Sequence, residues 1–303
     1  MRFIRKMVRL DQKTDEMNSM QQHLDTAEKP LNADENFAKI IANPLKTFSP
    51  FFHRENIVVF NGDCLDILRS FPENSIDMVF ADPPYMLSNN GFTCQNGKIA
   101  AVNKGKWDKS GGFENDAAFH DEWISACRRV LKPEGTIWIS GTYHSIYQCG
   151  YLLQKNNFHF LNDIAWFKPN ASPNLSCRFF TASHETLIWA RKDKNAKHTF
   201  NYAQMKNGYF PEDKLKNENT QMRSVWSIPT PKNTEKAAGK HPTQKPLDLL
   251  KRIVLASTNE SDIVLDPFSG SGTTGIACKL LGRAFVGIEI DKTYCDLTQK
   301  RLF

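Results

Sequence analysis

A short acidic and proline-containing turn follows an apolar run early in the chain. The run 78–81 ends at Asp82, and two prolines and Tyr85 come directly after it. The carboxylate of Asp82 and the carbonyl of Pro83 are neighbouring hydrogen-bond acceptors, and the fixed φ of proline holds that carbonyl in place. Two such acceptors match the two N–H groups of an exocyclic amine on a nucleobase.

The nitrogen of such an amine is a poor nucleophile because its lone pair is delocalised into the ring. Two acceptors aimed at its N–H groups would draw the nitrogen toward tetrahedral geometry and free the lone pair. Tyr85 offers a flat face for a base that has been turned out of its stack. An electrophile held in line would then react, with positioning and charge supplying the catalysis. The simpler alternative is a strand-capping turn, in which Asp82 accepts hydrogen bonds from nearby N–H groups.

A glycine-rich turn lies near the end of the chain. Gly270, Gly272 and Gly275 follow an apolar strand and open an apolar helix, and Glu289 ends the next strand. Glycines there let a ligand approach the backbone, and the start of the helix offers free N–H groups. The carboxylate of Glu289 can accept hydrogen bonds from ribose hydroxyls. We therefore expect a nucleoside cofactor, with a tight turn that binds no ligand as the alternative.

Two cofactors are candidates, a dinucleotide and S-adenosylmethionine. The order of the two turns along the chain distinguishes between them. In a dehydrogenase the first glycine directly follows its strand and most of the fold comes after it. Here other residues intervene, and the chain ends soon after Glu289. The remaining strands must come from upstream, as in a circularly permuted sheet. The acidic turn needs an electrophile such as a sulfonium methyl group, which favours S-adenosylmethionine.

Apolar segments that alternate with amphipathic ones predict the elements that position both turns. Seven continuous apolar segments are expected to be strands, namely 57–60, 76–81, 136–140, 160–168, 184–192, 262–266 and 284–290. Helices are expected at 64–71, 119–132, 145–157, 246–258 and 272–282. This alternation predicts an α/β fold with a doubly wound, mostly parallel sheet covered on both faces. Ligands bind such sheets beyond the carboxyl ends of the strands, where the strand order reverses.

Composition excludes several classes of protein. The chain has 303 residues, of which 40% are hydrophobic and 24% charged, and no apolar run is long enough to span a membrane. We find no secretory signal at the N-terminus. The seven cysteines form no CxxC pair, which argues against a disulfide framework and a zinc site and predicts a cytoplasmic protein without a metal.

Positive charge is concentrated in one segment. The net charge is +6, and residues 191–240 hold eleven Lys or Arg against five Asp or Glu. One interpretation is a solvated loop region. The other is a surface that faces phosphates, because clustered cations release counterions from a polyanion.

The motifs "DPPY", "AGKHPTQKPLDLLKRIVLAST" and "DPFSGSGTTG" occur in this order. Together they resemble the β group of DNA amino-methyltransferases over about residues 56–303, and DPPY is typical of the N6-adenine enzymes. "MLSNNGF", "KGKWDK" and "NLSCRFFTASHETLIWARK" most resemble the GATC-modifying enzymes of Dpn-type restriction systems, including the type that also accepts single strands. The resemblance implies site-specific methylation at N6 of a flipped-out adenine in DNA by a methyltransferase of Rossmann-like, seven-stranded fold. N4 of cytosine is the alternative acceptor for the same turn geometry.

The resemblance also implies residue roles. The catalytic turn would be formed by Asp82, Pro83, Pro84 and Tyr85. The cofactor would be bound by Asp63 and Cys64 at its adenine, by Asp82, by Phe268, Ser269, Gly270 and Gly272 around it, by Thr273 and Thr274 at its methionine part, by Glu289 at its ribose, and by His241, Thr243 and Lys245 at its carboxylate. Asp63 also suits the N-cap of a helix, and both roles are compatible. Lys245 has the alternative of a surface lysine ahead of a helix.

Composition, charge and this resemblance together predict four regions. They are a polar N-terminal extension (1–50), a catalytic half (51–192), a basic target-recognition insertion (193–240) and a cofactor-binding half (241–303). DNA contacts are expected from the loops flanking the sheet, with Asn89, Asn90, Lys104, Lys106 and Arg223 as candidates. The implied partners are double-stranded DNA, single-stranded DNA and a cognate restriction endonuclease, and a homodimer is compatible with the resemblance. A binding protein without catalysis, and transfer to RNA or a protein amide, are the other functional classes to be tested.

Overall fold

A nine-stranded sheet forms the centre of the protein. The structure is a computed structural model that describes residues 35–86, 92–95, 98–101, 108–206, 210 and 220–303. All seven predicted strands are confirmed, as β2 (Ile57–Asn61), β3 (Ile76–Ala81), β6 (Leu131–Gly141), β7 (His159–Phe167), β8 (His184–Arg191), β10 (Ile263–Asp266) and β11 (Ala284–Glu289). Two short edge strands extend the predicted seven, namely β1 (Phe52–Arg54) and β9 (Val225–Ser227). A separate hairpin consists of β4 (Phe92–Gln95) and β5 (Lys98–Ala101).

The strand order is β1-β2-β11-β10-β3-β6-β8-β7-β9. The five central strands from β2 to β6 are parallel, whereas β8 runs antiparallel to both β6 and β7. From β10 the chain continues to β11 on one side, and from β3 it continues to β6 on the other. The strand order therefore reverses between β10 and β3, and Asp82 follows the carboxyl end of β3, as predicted.

Helices cover both faces of the sheet. They are α1 (Glu35–Thr47), α2 (Cys64–Ser70), α3 (Phe113–Val130), α4 (Ile146–Lys155), α5 (Tyr202–Lys206), α6 (Leu247–Ser257), α7 (Thr273–Leu280) and α8 (Lys292–Leu302). One apolar core contains buried residues of α1 to α4, and the other contains those of α6, α7 and α8. The strands are buried from both sides, which is why they read as continuous apolar runs.

Some elements differ from the sequence-based prediction. Helix α1 lies within the segment predicted to be a polar extension, and it buries Phe37, Ile40 and Ile41 in the first core. Their spacing places all three on one helical face, so a helix could have been predicted there. Helices α5 and α8 were not predicted, and α3 begins at Phe113 rather than near Phe119. The region boundaries at 50, 192 and 240 stay predictions. Among the residues described, no helix has the length and apolarity needed to cross a membrane.

Candidate active site

A cluster of buried charged side chains lies at the carboxyl ends of the central strands. Asp82 Oδ1 accepts a hydrogen bond from the Tyr85 hydroxyl at 2.6 Å, and Asp82 Oδ2 accepts one from Lys245 Nζ. The Lys245 side chain is only 6% exposed, so it is not a surface lysine. A side-chain donor therefore holds each oxygen of the Asp82 carboxylate, and the catalytic role of the turn stays a prediction.

Glu185 and Lys168 complete this cluster, and neither was predicted. Glu185 Oε2 lies 3.1 Å from the Tyr85 hydroxyl, and Glu185 Oε1 accepts a hydrogen bond from Lys168 Nζ at 2.5 Å. Lys245 Nζ is 3.6 Å from Glu185 Oε2, so it lies between two carboxylates. Two ammonium groups therefore balance two carboxylates, which is how buried charges are tolerated.

The surroundings determine the protonation of these groups. For Lys245, burial lowers the pKa, but Asp82 and Glu185 outweigh burial and raise it, so the ammonium stays charged. Burial, followed by the nearby carboxylates, raises the pKa of Tyr85, which keeps its proton. Burial also raises the pKa of Asp82, against the opposing effect of Lys245. Burial by itself would raise the pKa of Glu185, but Lys245 and Lys168 lower that pKa to about 2.

The low pKa of Glu185 predicts a pH-dependent contribution to stability. A carboxyl with a depressed folded-state pKa stabilises the fold above its unfolded pKa of about 4.3, and this contribution is lost as pH falls through about 2. We expect Glu185→Gln to be less stable than wild type at pH 7. The difference in free energy of unfolding should shrink by about 3 kcal/mol between pH 7 and pH 2. Urea denaturation across this range measures it, and a difference that does not change with pH would contradict the assigned pKa.

The backbone of the acidic turn is held by a second carboxylate. The Tyr85 N–H donates to Asp108 Oδ1 at 2.9 Å, and Asp108 is completely buried. The Tyr85 side chain is itself only 4% exposed, and Lys245 Nζ lies 5.3 Å from its ring centroid. The turn is therefore fixed at both its main chain and its side chain before any substrate binds. Asp108 was not predicted, although it lies in the quoted stretch "KGKWDK".

The glycine turn contacts Glu289 directly. Gly270 has a φ of 52°, and its N–H donates to Glu289 Oε2 at 2.8 Å. Glu289 Oε1 accepts from the Asp291 N–H, also at 2.8 Å. Each carboxylate oxygen keeps a further lone pair for a hydroxyl donor.

One pocket is lined by both the acidic turn and the glycine turn. The predicted residues that line it are Asp63, Cys64, Asp82, Pro83, Pro84, Tyr85, His241, Thr243, Lys245, Phe268, Ser269, Gly270, Thr273, Thr274 and Glu289. Asp63 also caps α2, since its carboxylate accepts from the Leu65 N–H at 2.8 Å, and its contact with the cofactor adenine stays a prediction. Asp266, Phe119 and Tyr294 line the pocket too and were not predicted.

Three of the predicted cofactor residues make close contacts within the protein itself. Gly272 does not line the pocket; a Cβ there would lie 2.4 Å from Thr298 Cγ2, so this glycine is needed for packing against α8. Lys245 was expected at a cofactor carboxylate; its ammonium contacts Asp82 and it lines the pocket, so the expected role stays a prediction. The Thr274 hydroxyl donates to Asp266 Oδ2 at 2.6 Å, which places it inside the turn.

The pocket suits a nucleoside that carries positive charge. Within the described part of the chain, Ser269 Oγ is buried without a hydrogen-bond partner, and each Glu289 oxygen keeps a lone pair for a further donor. Phe268 and Phe119 supply apolar ring surface, while Asp82 and Asp266 supply acceptors. Burial raises the pKa of Asp266 to about 7, although the Thr274 hydroxyl opposes this, so a cation nearby would favour its ionised form.

Of the DNA-contact candidates, the structure describes Arg223. Asn89, Asn90, Lys104 and Lys106 lie outside the described residues. Arg223 is exposed and precedes β9. Since β9 ends at the edge of the sheet that holds the acidic turn, Arg223 lies toward the opposite edge. It is not brought into the pocket, and its role stays a prediction.

Comparison with known proteins identifies the family. A family model described as DNA methylase matches residues 76–300. The Type II methyltransferase M2.MboI of Moraxella bovis is 50% identical over 254 residues, which are 83% of this chain and 90% of the relative. The Type II methyltransferase M2.DpnII of Streptococcus pneumoniae is 48% identical, over 84% of this chain and 92% of the relative.

Two solved structures are similar to this fold. M1.HpyAVI in complex with SAM is 33% identical, with a TM-score of 0.59, and the match covers 81% of this chain and 98% of that chain. The PvuII DNA methyltransferase, described as cytosine-N4-specific, is 19% identical with a TM-score of 0.65, over 84% of this chain and 90% of that chain. The second likeness shows the fold alone.

Proposed function

Because this chain belongs to the DNA methylase family, we propose that it methylates N6 of a specific adenine in DNA, with S-adenosylmethionine as methyl donor. The observation that carries this proposal is that the acidic turn and the glycine turn line one pocket. The site for the amine that accepts the methyl group is thereby adjacent to the site for the nucleoside of the cofactor. The DPPY form of the turn supports adenine over cytosine as the target base.

S-adenosylmethionine, when bound, supplies a methyl group activated by a positively charged sulfur. Glu289 and Ser269 would hold its nucleoside, while Phe268 lines the space beside the glycine turn. The acidic side chains around the pocket complement its positive charge. This assignment requires no rearrangement of the glycine turn, since Glu289 already fixes Gly270.

Asp82 is the residue that acts on the target amine. Its oxygens are oriented by Tyr85 and Lys245, and each oxygen retains a lone pair for an N–H group of the base. Accepting that hydrogen bond concentrates electron density on the amine nitrogen. The same carboxylate is placed to take the proton that the nitrogen loses after it has gained a methyl group. The charge of Lys245 stabilises the carboxylate in its ionised form.

The finer proposal concerns the DNA sequence and the biological setting. We propose that the target is the adenine of GATC, in duplex DNA and in single strands, and that a cognate restriction endonuclease cleaves the unmethylated site. The stretches "MLSNNGF" and "NLSCRFFTASHETLIWARK" support this, as does similarity to relatives named as Type II methyltransferases.

The test uses purified protein and S-adenosylmethionine labelled in its methyl group. The substrates are a duplex with one GATC site, a duplex of the same composition with the site scrambled, and an RNA of matching sequence. We expect label only in the GATC duplex. Equal labelling of the scrambled duplex would refute the recognition sequence, and preferential labelling of RNA would refute DNA as the substrate.

Glu289 provides a test of the cofactor site. Glu289→Gln should weaken binding of S-adenosylmethionine about tenfold to a hundredfold, because a charge-assisted hydrogen bond to ribose and the support of Gly270 are both reduced. Calorimetric titration measures the affinity. Glu260→Gln, at an exposed position outside the pocket, is the control and should bind as wild type does. Unchanged affinity in the Glu289 variant would contradict the ribose assignment.

A further inference from the structure

The loop between β7 and β8 leaves the sheet beside the charged cluster. Its flanking residues are Lys168 and Glu185, which form the 2.5 Å ion pair described above. The Lys168 N–H also donates to the Ser183 carbonyl at 2.7 Å and closes the base of the loop. Lys168 and Glu185 both belong to the charged cluster, in which Glu185 contacts Tyr85. Residues 169–183 therefore begin and end within two residues of that cluster. We call residues 169–183 the aromatic loop.

The aromatic loop is held in a defined conformation by its own asparagines. Asn174 donates from Nδ2 to the Phe179 carbonyl at 2.7 Å, and its N–H donates to Thr181 Oγ1 at 3.2 Å. Asn170 exchanges two hydrogen bonds with Thr230, which follows β9. The tip of the loop is therefore cross-linked internally, and its base is tied to the neighbouring segment.

This ordered tip presents aromatic surface to solvent. Phe179 is 68% exposed and Phe180 is 98% exposed, and Leu175 lies beside them in the loop at 37%. Rings held in water by an internally bonded loop indicate a binding surface rather than a part of the core. The charge of the aromatic loop favours an anionic partner, because residues 169–183 contain the exposed Arg178 and no carboxylate. A polyanion with flat apolar groups matches both features.

We propose that Phe179 and Phe180 insert into the base stack beside the target adenine and replace its stacking when it is turned out of the duplex. Base flipping requires energy to unstack the base, and apolar side chains inserted between neighbouring bases commonly offset this energy. Stacking of a base on an aromatic ring is sequence-tolerant, so the loop contributes to opening the duplex and not to reading it. This inference rests on the proposed function, since it requires DNA as substrate.

The test compares a paired with an unpaired target adenine. One duplex carries the GATC site fully paired, and the other has an abasic site opposite the target, so that little stacking and no pairing must be broken. The double variant Phe179→Ala/Phe180→Ala should be about tenfold to a hundredfold slower than wild type on the paired duplex. On the abasic duplex it should be within about twofold of wild type. A duplex with 2-aminopurine at the target should brighten on binding wild type and remain dim with the variant.

Several results would overturn the proposal. They are equal losses on the two duplexes, no loss on either, or a variant whose oligomeric state differs from that of wild type, because the rings would then stabilise a contact between copies. Wild-type protein that labels neither duplex would refute the proposed function instead. The control is Leu280→Ala, which removes a 42% exposed apolar side chain at the end of α7, and it should match wild type in all readouts.

Discussion

Asp82→Asn is expected to lower the rate of methyl transfer by at least about a hundredfold while the affinity for S-adenosylmethionine stays within about fivefold of wild type. The substitution keeps the shape of the side chain but removes its charge. One amide position would then present N–H groups to the Tyr85 hydroxyl, to Lys245 or to the incoming amine, all of which are donors. The target nitrogen would lose both its acceptor and its route for the proton.

Single-turnover kinetics with labelled S-adenosylmethionine measure the rate of this variant, and calorimetry measures the binding. Asp66→Asn is the matched control, because Asp66 lies on α2 with its side chain 61% exposed and pairs only with Arg69 at the surface. The control should transfer methyl groups at the wild-type rate. Full activity in Asp82→Asn would exclude the carboxylate as the group that acts on the amine.

Lys245→Met is expected to cost about 3–5 kcal/mol of stability at pH 7.5 and to abolish activity, because it leaves buried carboxylates without their shared cation. Methionine retains the length and apolar character of the lysine stem. The remaining ammonium of Lys168 reaches Glu185 but not Asp82 in the hydrogen bonds observed. Burial already raises the folded-state pKa of Asp82 and Lys245 opposes that shift, so removing Lys245 raises this pKa further.

The sign of the pH effect follows from that raised pKa. A carboxyl that binds its proton more readily in the folded state favours folding as pH falls, so the deficit of Lys245→Met should shrink between pH 7.5 and pH 5. Urea denaturation at both pH values measures this. Lys155→Met, which breaks an exposed pair with Asp121, is the control and should resemble wild type. A Lys245 variant as stable as wild type at pH 7.5 would show that this cluster does not depend on the lysine.

The residues that follow strand ends could be predicted from the sequence because their signals are local. Asp82, Glu289 and the glycine turn each combine a strand, a turn and a suitable side chain within a few positions. The fold class followed in the same way, since continuous apolar strands alternating with helices specify a parallel sheet. These features do not depend on which strands become neighbours.

Glu185 and Lys168 could not be predicted, because their position depends on long-range pairing. Glu185 is one carboxylate at the start of an apolar strand, and it reaches Tyr85 only because β8 pairs antiparallel with β6. In that register Gly141 lies opposite Thr186, which places the start of β8 at the carboxyl ends of β3 and β6. Long-range pairing is also why the contact between Lys245 and Asp82 was not predicted, since the two residues are 163 positions apart in the chain.

The chemical identity of the methylated nucleoside shows whether Asp82 directs transfer to adenine N6. GATC-containing DNA is incubated with the protein and S-adenosylmethionine, digested to nucleosides and analysed by mass spectrometry beside a reaction with Asp82→Asn. We expect N6-methyldeoxyadenosine from the wild-type reaction and none above background from the variant. N4-methyldeoxycytidine, or no modified nucleoside from the wild-type protein, would contradict this expectation.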